Sequence, residues 1–286
     1  MIPDSPIDPL EYFALHALTV RGLEQVNVGF NNAVWLTDEY ALRVSRSDQV
    51  DYALEASLAL HALALGIRTA KPLFWAGDYS IWQRIVGSNA TPPQPSHVWD
   101  ALLDDLELWH ANPPLPAPRL EEWVQQPFPH DRSPFAPGFW DADPQLLRSD
   151  FAMQLEPSEI ARIEALFKPR RLEWLHFLHG DVFAANILVD DGQYAGLIDW
   201  GNAQWHAKER EYAWLEDEAL EIALTRYDLD LELLYALRLE LLLFVGSLGR
   251  ATCGACSSAW DEKLASHRAR TLASSITSST KQKIDC

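Results

Sequence analysis

Leu178-His179-Gly180-Asp181-Val182-Phe183-Ala184-Ala185-Asn186 and, further on, Gly196-Leu197-Ile198-Asp199-Trp200-Gly201 are the most informative residues of this 286-residue chain. Asp181 follows a His by two positions, Asn186 follows Asp181 by five, and Asp199 stands thirteen residues past the Asn at the end of an apolar run. Residues 187–189 and 194–198 are apolar and strand-like, joined by Asp190-Asp191-Gly192-Gln193, and Asp-Gly favours a tight hairpin. Folding back through that hairpin brings Asn186 and Asp199 together at its open end. Two oxygen-bearing side chains there suit Mg2+, which takes one or two protein oxygens plus phosphate oxygens. Asp181 is then placed to receive a hydroxyl proton. Taken singly, His-Gly-Asp is commonly a turn, an Asn caps strands, and an Asp at a strand end is commonly a surface acid. Order, spacing and hairpin have to coincide for those readings to hold together.

The same residues carry a resemblance. His-x-Asp-x4-Asn with an Asp beyond it is the catalytic-loop and metal-Asp arrangement of kinases. The chain resembles the aminoglycoside phosphotransferase and choline-kinase-like superfamily, whose His-Gly-Asp-x4-Asn and Ile-Asp-Trp motifs are matched at His179, Gly180, Asp181, Asn186, Ile198, Asp199 and Trp200. The resemblance covers most of the chain, and this core is its specific part. It implies an α+β, two-lobed protein-kinase-like fold. Residues 1–86 would be a small nucleotide-binding lobe with a five-stranded antiparallel sheet and a helix, and 87–286 a larger, mainly helical catalytic and substrate-binding lobe. It implies ATP and Mg2+ as cofactors, Asn186 and Asp199 as metal ligands, and Asp181 as the group that orients the acceptor hydroxyl and accepts its proton. His179 would shape the loop.

Composition bounds the alternatives. Hydrophobic content of 48% and charged content of 22% are those of a soluble globular protein. The chain has no basic-then-apolar secretory start, and three cysteines suit a reducing compartment, so a cytoplasmic protein is expected. The apolar run 231–248 contains Glu232, Arg238 and Glu240, which argues against a membrane span. A net charge of −18 disfavours nucleic acid and suits a cationic small molecule, although an acidic surface also serves solubility. Cys253-Gly254-Ala255-Cys256 has no second Cys-x-x-Cys, and His267 with Cys286 would complete only an irregular metal set, so the spacing reads as chance.

In chain order, 6–20 predicts an amphipathic helix with Leu10, Phe13, Leu15 and Leu18 among its apolar positions, and 23–28, 33–37 and 40–45 predict strands. The turn Gly29-Phe30-Asn31-Asn32 lies where a kinase-like lobe covers the nucleotide phosphates. It offers Gly29, Asn31 and Asn32 in place of a glycine-rich loop, and Asn tolerates positive φ. Arg43 occupies the place of the usual phosphate-binding lysine and is able to bind phosphate in a bidentate manner; otherwise it is a solvent-facing strand residue. A helix over 50–65 is opened by Asp48 and closed by Gly66. Its Glu55 matches the family's glutamate that pairs with the strand cation. Strands over 71–76 and 80–86 complete the sheet, and the hinge from Gln83 through Ile85 to Gly87 would present backbone groups to adenine.

A helix is expected over 97–112, ending in a structural His110, and another over 156–167. Between them, 112–144 interleaves nine prolines with large aromatics. It reads as an ordered irregular segment, either for recognition or as a buttress. Glu211 stands where relatives brace the catalytic loop with an Asp. Glu216, Asp217, Glu218 and Glu221 form either a cation-binding rim or a solvated face. The Ser/Thr-rich end from 271 reads as frayed.

These residues together predict transfer of the ATP γ-phosphoryl group to a hydroxyl of a small, cationic, aminoglycoside-like molecule. Choline, homoserine, macrolide and sugar-like acceptors fit the same motif, and Lys281-Gln282-Lys283-Ile284-Asp285-Cys286 lacks the acidic, aromatic ending expected of aminoglycoside resistance enzymes. A different class, a nucleotide-binding module without turnover, draws on Arg43 and the single-glycine turn. Monomer and dimer are equally compatible with the sequence.

Overall fold

A computed structural model of the chain describes residues 8–26, 32–46, 50–114, 152–166, 175–252, 265 and 267–269. These fall into two compact units, one within 1–118 and 179–203, the other within 119–178 and 204–286. The segments 115–151, 253–264 and 270–286 lie outside the described residues. Most of the proline-aromatic stretch, Cys253, Cys256 and the Ser/Thr-rich end therefore do so too.

The first unit contains an antiparallel sheet of five strands: β1 (Glu24–Val26), β2 (Asn32–Leu36), β3 (Tyr40–Ser45), β4 (Pro72–Trp75) and β5 (Tyr79–Gln83), in the order β1-β2-β3-β5-β4. Period-2 alternation builds its core: Ala33, Trp35, Leu42, Val44, Tyr79 and Ile81 share one face with Phe13. Phe13 comes from helix α1 (Pro9–Leu15), started by the Asp8 cap with Pro9 at the first turn. That helix is shorter than the predicted 6–20. It ends where Ala17 turns left-handed at φ 54°, and Leu10 and Leu15 remain exposed.

Helix α2 (Tyr52–Leu65) follows. Its cap is Asp51, whose side chain accepts the Leu54 N–H at 3.0 Å. Asp48, expected to open the helix, lies outside the described residues. Gly66 closes the helix as expected, with φ 87°. Helix α2 packs on β4, on helix α3 (Ser96–Ala111) and on the turn at Trp200–Asn202.

A second, three-stranded sheet belongs to this unit: β6 (Ser88–Asn89), β8 (Ile187–Asp190) and β9 (Gln193–Leu197), in the order β6-β8-β9. Asp191 and Gly192 between β8 and β9 have φ of 47° and 71°, the positive pair that a two-residue hairpin of matching twist requires. Helix α3 packs against β9.

The second unit holds helix α4 (Pro157–Leu166), strands β7 (Leu175–Leu178) and β10 (Gln204–Ala207), and helices α5 (Glu209–Ala213), α6 (Asp217–Arg226) and α7 (Leu231–Thr252). β7 and β10 form an antiparallel pair that the sequence did not announce. Helix α7 packs on α4 and α5, and its Glu240 accepts from the fully buried Arg210 at 3.2 Å. Among the described residues no helix is long and apolar enough to cross a membrane.

Candidate active site

β3 lies between β2 and β5, and its alternation fixes the first side chain of the site. Leu42 and Val44 enter the core, so Arg43 projects from the opposite face. There its Nη1 donates to Glu55 Oε1, and its Nη2 donates to Asp199 Oδ1 at 3.1 Å. The arginine is therefore no solvent-facing strand residue: its side chain is 15% exposed and bridges two carboxylates. Burial works against the Arg43 charge, but Asp199 and Glu55 outweigh it and hold the guanidinium protonated. Burial pushes the Glu55 carboxyl above the ordinary carboxylate range, Arg43 draws it back, and Asp199 adds to the push.

The loop from His179 supplies the second group. Gly180 has φ 81°, a left-handed conformation that favours glycine. The buried His179 ring donates from Nε2 to the Ile198 carbonyl at 3.1 Å, while Nδ1 accepts the Asp181 N–H at 3.3 Å. Those partners select the neutral Nε2–H tautomer and use both nitrogens to shape the loop. Asp181 is 5% exposed. Its Oδ2 accepts from Asn186 Nδ2 at 3.0 Å and from Asn202 Nδ2 at 3.1 Å, and Asn186 Nδ2 also donates to the Asp181 carbonyl at 2.9 Å. Two amides thus orient one carboxylate.

Asp199 completes the set. The Ile198 N–H donates to the Asn186 carbonyl at 2.9 Å, so the hairpin brings Asn186 to within one residue of Asp199, as its sequence implies. Asp199 has φ 69° and ψ 67°, a left-handed backbone that is costly for a residue with a Cβ and that concentrates at functional sites. Trp200 secures it from behind. The indole N–H donates to Thr69 Oγ1 at 2.8 Å, and the ring stands edge-on to Trp109 at 4.5 Å and to His179 at 4.6 Å.

Among the described residues no group of three or more His, Cys, Asp and Glu side chains forms a metal cage. One carboxylate and one amide oxygen are instead the sparse donor set that suits Mg2+ sharing its coordination with phosphates. The amide nitrogen of Asn186 is engaged by Asp181, which leaves its oxygen as the ligand end. The residues therefore fit the ion.

Other expected residues are placed less tightly. Gly29 and Asn31 lie outside the described residues, while Asn32 opens β2 and accepts from the Tyr52 hydroxyl at 2.7 Å. Gln83 is exposed, and its N–H donates to the Lys71 carbonyl. Ile85 is half-buried, its Cδ1 3.0 Å from where a Cβ on Gly196 would stand. In the second unit Glu211 is fully buried, and Asp217 pairs with Arg238, so that acidic run is not simply a solvated face. The sequence reading passed over Asn202, Thr69 and Tyr52. Asn202 follows Asp199 by three residues, and Tyr52 precedes Glu55 by one helical turn; Thr69 carries no signal.

The sequence matches the model of a family described as the phosphotransferase enzyme family over residues 22–224. No curated protein matches it significantly. Among solved structures, the macrolide 2'-phosphotransferase MphH from Brachybacterium faecium is similar at TM-score 0.56 and 18% identity, over 90% of this chain and 96% of that one. The GDP complex of aminoglycoside 2'-phosphotransferase-IIIa gives TM-score 0.62 at 15% identity, over 93% and 100%. Spectinomycin phosphotransferase APH(9)-Ia, in complex with ADP and spectinomycin, gives 0.59 at 14%, over 92% and 94%. At such identities the likeness is one of fold, and the α+β kinase-like fold is shared.

Proposed function

The chain belongs to the phosphotransferase enzyme family, and on that premise we propose that it moves the γ-phosphoryl group of ATP to a hydroxyl of a small molecule. The observation that carries the reading is the joint placement of Arg43, Glu55, Asp181, Asn186 and Asp199 within one compact unit. Asp181, oriented by Asn186 and Asn202, positions the acceptor hydroxyl and takes its proton. The acceptor oxygen then bonds to the γ-phosphorus as the bond to the bridging oxygen breaks and ADP leaves. Asn186 and Asp199 would hold Mg2+, which neutralises charge on the phosphate oxygens. Arg43 binds phosphate oxygens with Glu55 as its orienter. With the Gln83 and Arg84 N–H groups paired to the Lys71 and Glu39 carbonyls, contacts to adenine fall to Ile85 and its neighbours. Residues 1–86 would form the nucleotide-binding lobe and 87–286 the catalytic and substrate-binding lobe.

An aminoglycoside-like acceptor is favoured by the net charge of −18 and by solved relatives in complex with kanamycin and spectinomycin. The cytoplasm supplies the ATP. The test is release of ADP from ATP in the presence of kanamycin, spectinomycin, a macrolide, choline, homoserine or a sugar, with Asp181→Asn as control. Acceptor-dependent turnover is expected, falling on the order of 10²-fold or more in the variant, with ATP affinity within about threefold because Asp181 serves the acceptor. ATP binding with no turnover on any acceptor would make the chain a nucleotide-binding module instead.

A further inference from the structure

Tyr52 lies outside the motif, yet three constraints meet on it. The Asp51 cap makes it the first residue of α2, where it is 1% exposed. Its ring centroid is 5.8 Å from Arg43 Cζ, within reach of a cation–π attraction. Its hydroxyl donates to Asn32 Oδ1 at 2.7 Å. Burial, together with the carboxylates of Glu55 and Asp199, outweighs Arg43 and makes that hydroxyl harder to ionise, so it stays a donor. Asn32 is the last residue of the run expected over the nucleotide phosphates and the first of β2.

Positions 52 and 55 are three apart and share a helix face. One turn of α2 therefore holds Arg43 twice, by Glu55 at a guanidinium nitrogen and by Tyr52 from the ring. The same tyrosine reaches across to the start of β2. Resting on the phosphotransferase reading, we infer that Tyr52 is a positioning residue for the nucleotide: it ties Asn32 to Arg43, so that the phosphate-binding cation and the start of β2 keep one mutual geometry. It touches no reacting atom. Its contribution is that Asn32 and Arg43, eleven residues apart in sequence, are fixed relative to each other before the nucleotide arrives.

Tyr52→Phe keeps the ring beside Arg43 and deletes only the hydroxyl; Asn32→Ala deletes the acceptor. Calorimetry with Mg-ADP on the full chain, melting temperatures and the KM for ATP are measured for wild type, both variants and the double variant. Each single change is expected to weaken Mg-ADP about three- to tenfold, the range for one neutral hydrogen bond. The KM for ATP should rise in proportion while kcat falls less than about twofold, because binding and not chemistry is affected. The double variant should bind no worse than the weaker single one, since both remove the same bond. Tyr52→Phe that melts lower yet binds Mg-ADP like wild type makes Tyr52 a core residue only and overturns the inference, as do additive losses in the double variant. Should Tyr52→Phe not fold, Asn32→Ala alone decides by the same affinity criterion. A wild-type chain that binds no nucleotide fails at the earlier step and overturns the phosphotransferase reading with it.

Discussion

At position 43 a guanidinium engages three groups with one plane: Glu55 at Nη1, Asp199 at Nη2 and the Tyr52 ring beside it. An ammonium is a compact point charge and has no second nitrogen with which to hold two carboxylates in fixed directions. Arg43→Lys should therefore keep the charge and lose the geometry, lowering kcat/KM for ATP by about 1–2 kcal/mol, the scale of a charge-assisted hydrogen bond. Arg43→Ala should lose considerably more, and Glu55→Ala should resemble Arg43→Lys because it removes the orienter alone. In a double-variant cycle the two positions should couple, as partners in one ion pair do. Steady-state kinetics at varied ATP checks this, and an Arg43→Ala enzyme with ordinary ATP kinetics would return Arg43 to the rank of a strand residue.

Among elements, the glycines distinguish conformational demand from spatial demand. Gly87 sits between β5 and β6 with φ 141°, and a Cβ there would stand 2.7 Å from the Val189 carbonyl oxygen. Gly66 has φ 87° with nothing within 4 Å, and Gly77 combines open space with an ordinary φ. Substituting Ala should therefore destabilise in the order Gly87, Gly66, Gly77. The expected losses are about 2–3 kcal/mol where strain and clash combine, roughly 1 kcal/mol for the left-handed cap, and near zero for Gly77. Urea titration of the three variants measures it. Only the Gly87 variant should also disturb the β6–β8 pairing, since its clash lies on β8 itself.

What the sequence announced is what local pattern encodes. Strand alternation and the Asp191-Gly192 turn are local signals, so the five-stranded sheet and the β8–β9 hairpin were legible, as was the bringing together of Asn186 and Asp199. β6, β7 and β10 are two to four residues long and hold their places through distant partners, which no local pattern records. Asn202 and Thr69 were missed for the same reason: each acts on a partner 21 or 131 residues away. Asp48 and Asp51 are both acceptable caps by residue type, and only the site of the first helical turn singles out Asp51.

For the molecule in acid, the second unit contributes a titration. Burial, aided by the positive field of Arg238, holds the His267 pKa down to about 4, with Tyr235 edge-on to its ring at 5.7 Å. In the unfolded chain the imidazole takes up its proton near pH 6.5. Between those values the unfolded state binds the extra proton and the folded state does not, so stability falls as pH drops from about 6.5 towards 4 and levels off below. The loss is on the order of 3 kcal/mol. Thermal melts across that window should show a shallower acid decline in His267→Gln than in wild type; equal declines would place the titrating group elsewhere.

The bond from the Trp200 indole to Thr69 spans 131 residues, and it closes a unit drawn from 1–118 and 179–203 with sixty residues of the other unit spliced between. On a ribosome, where residues appear in order, that splice is also a delay. The five-stranded sheet, α2 and the Arg43–Glu55 pair are in hand while Asp181, Asn186 and Asp199 are still unmade. A nascent chain thus carries only the Arg43–Glu55 part of the constellation for the time it takes to translate the insertion, and the rest joins it only when β9 packs against α3 and the Trp200 turn against α2.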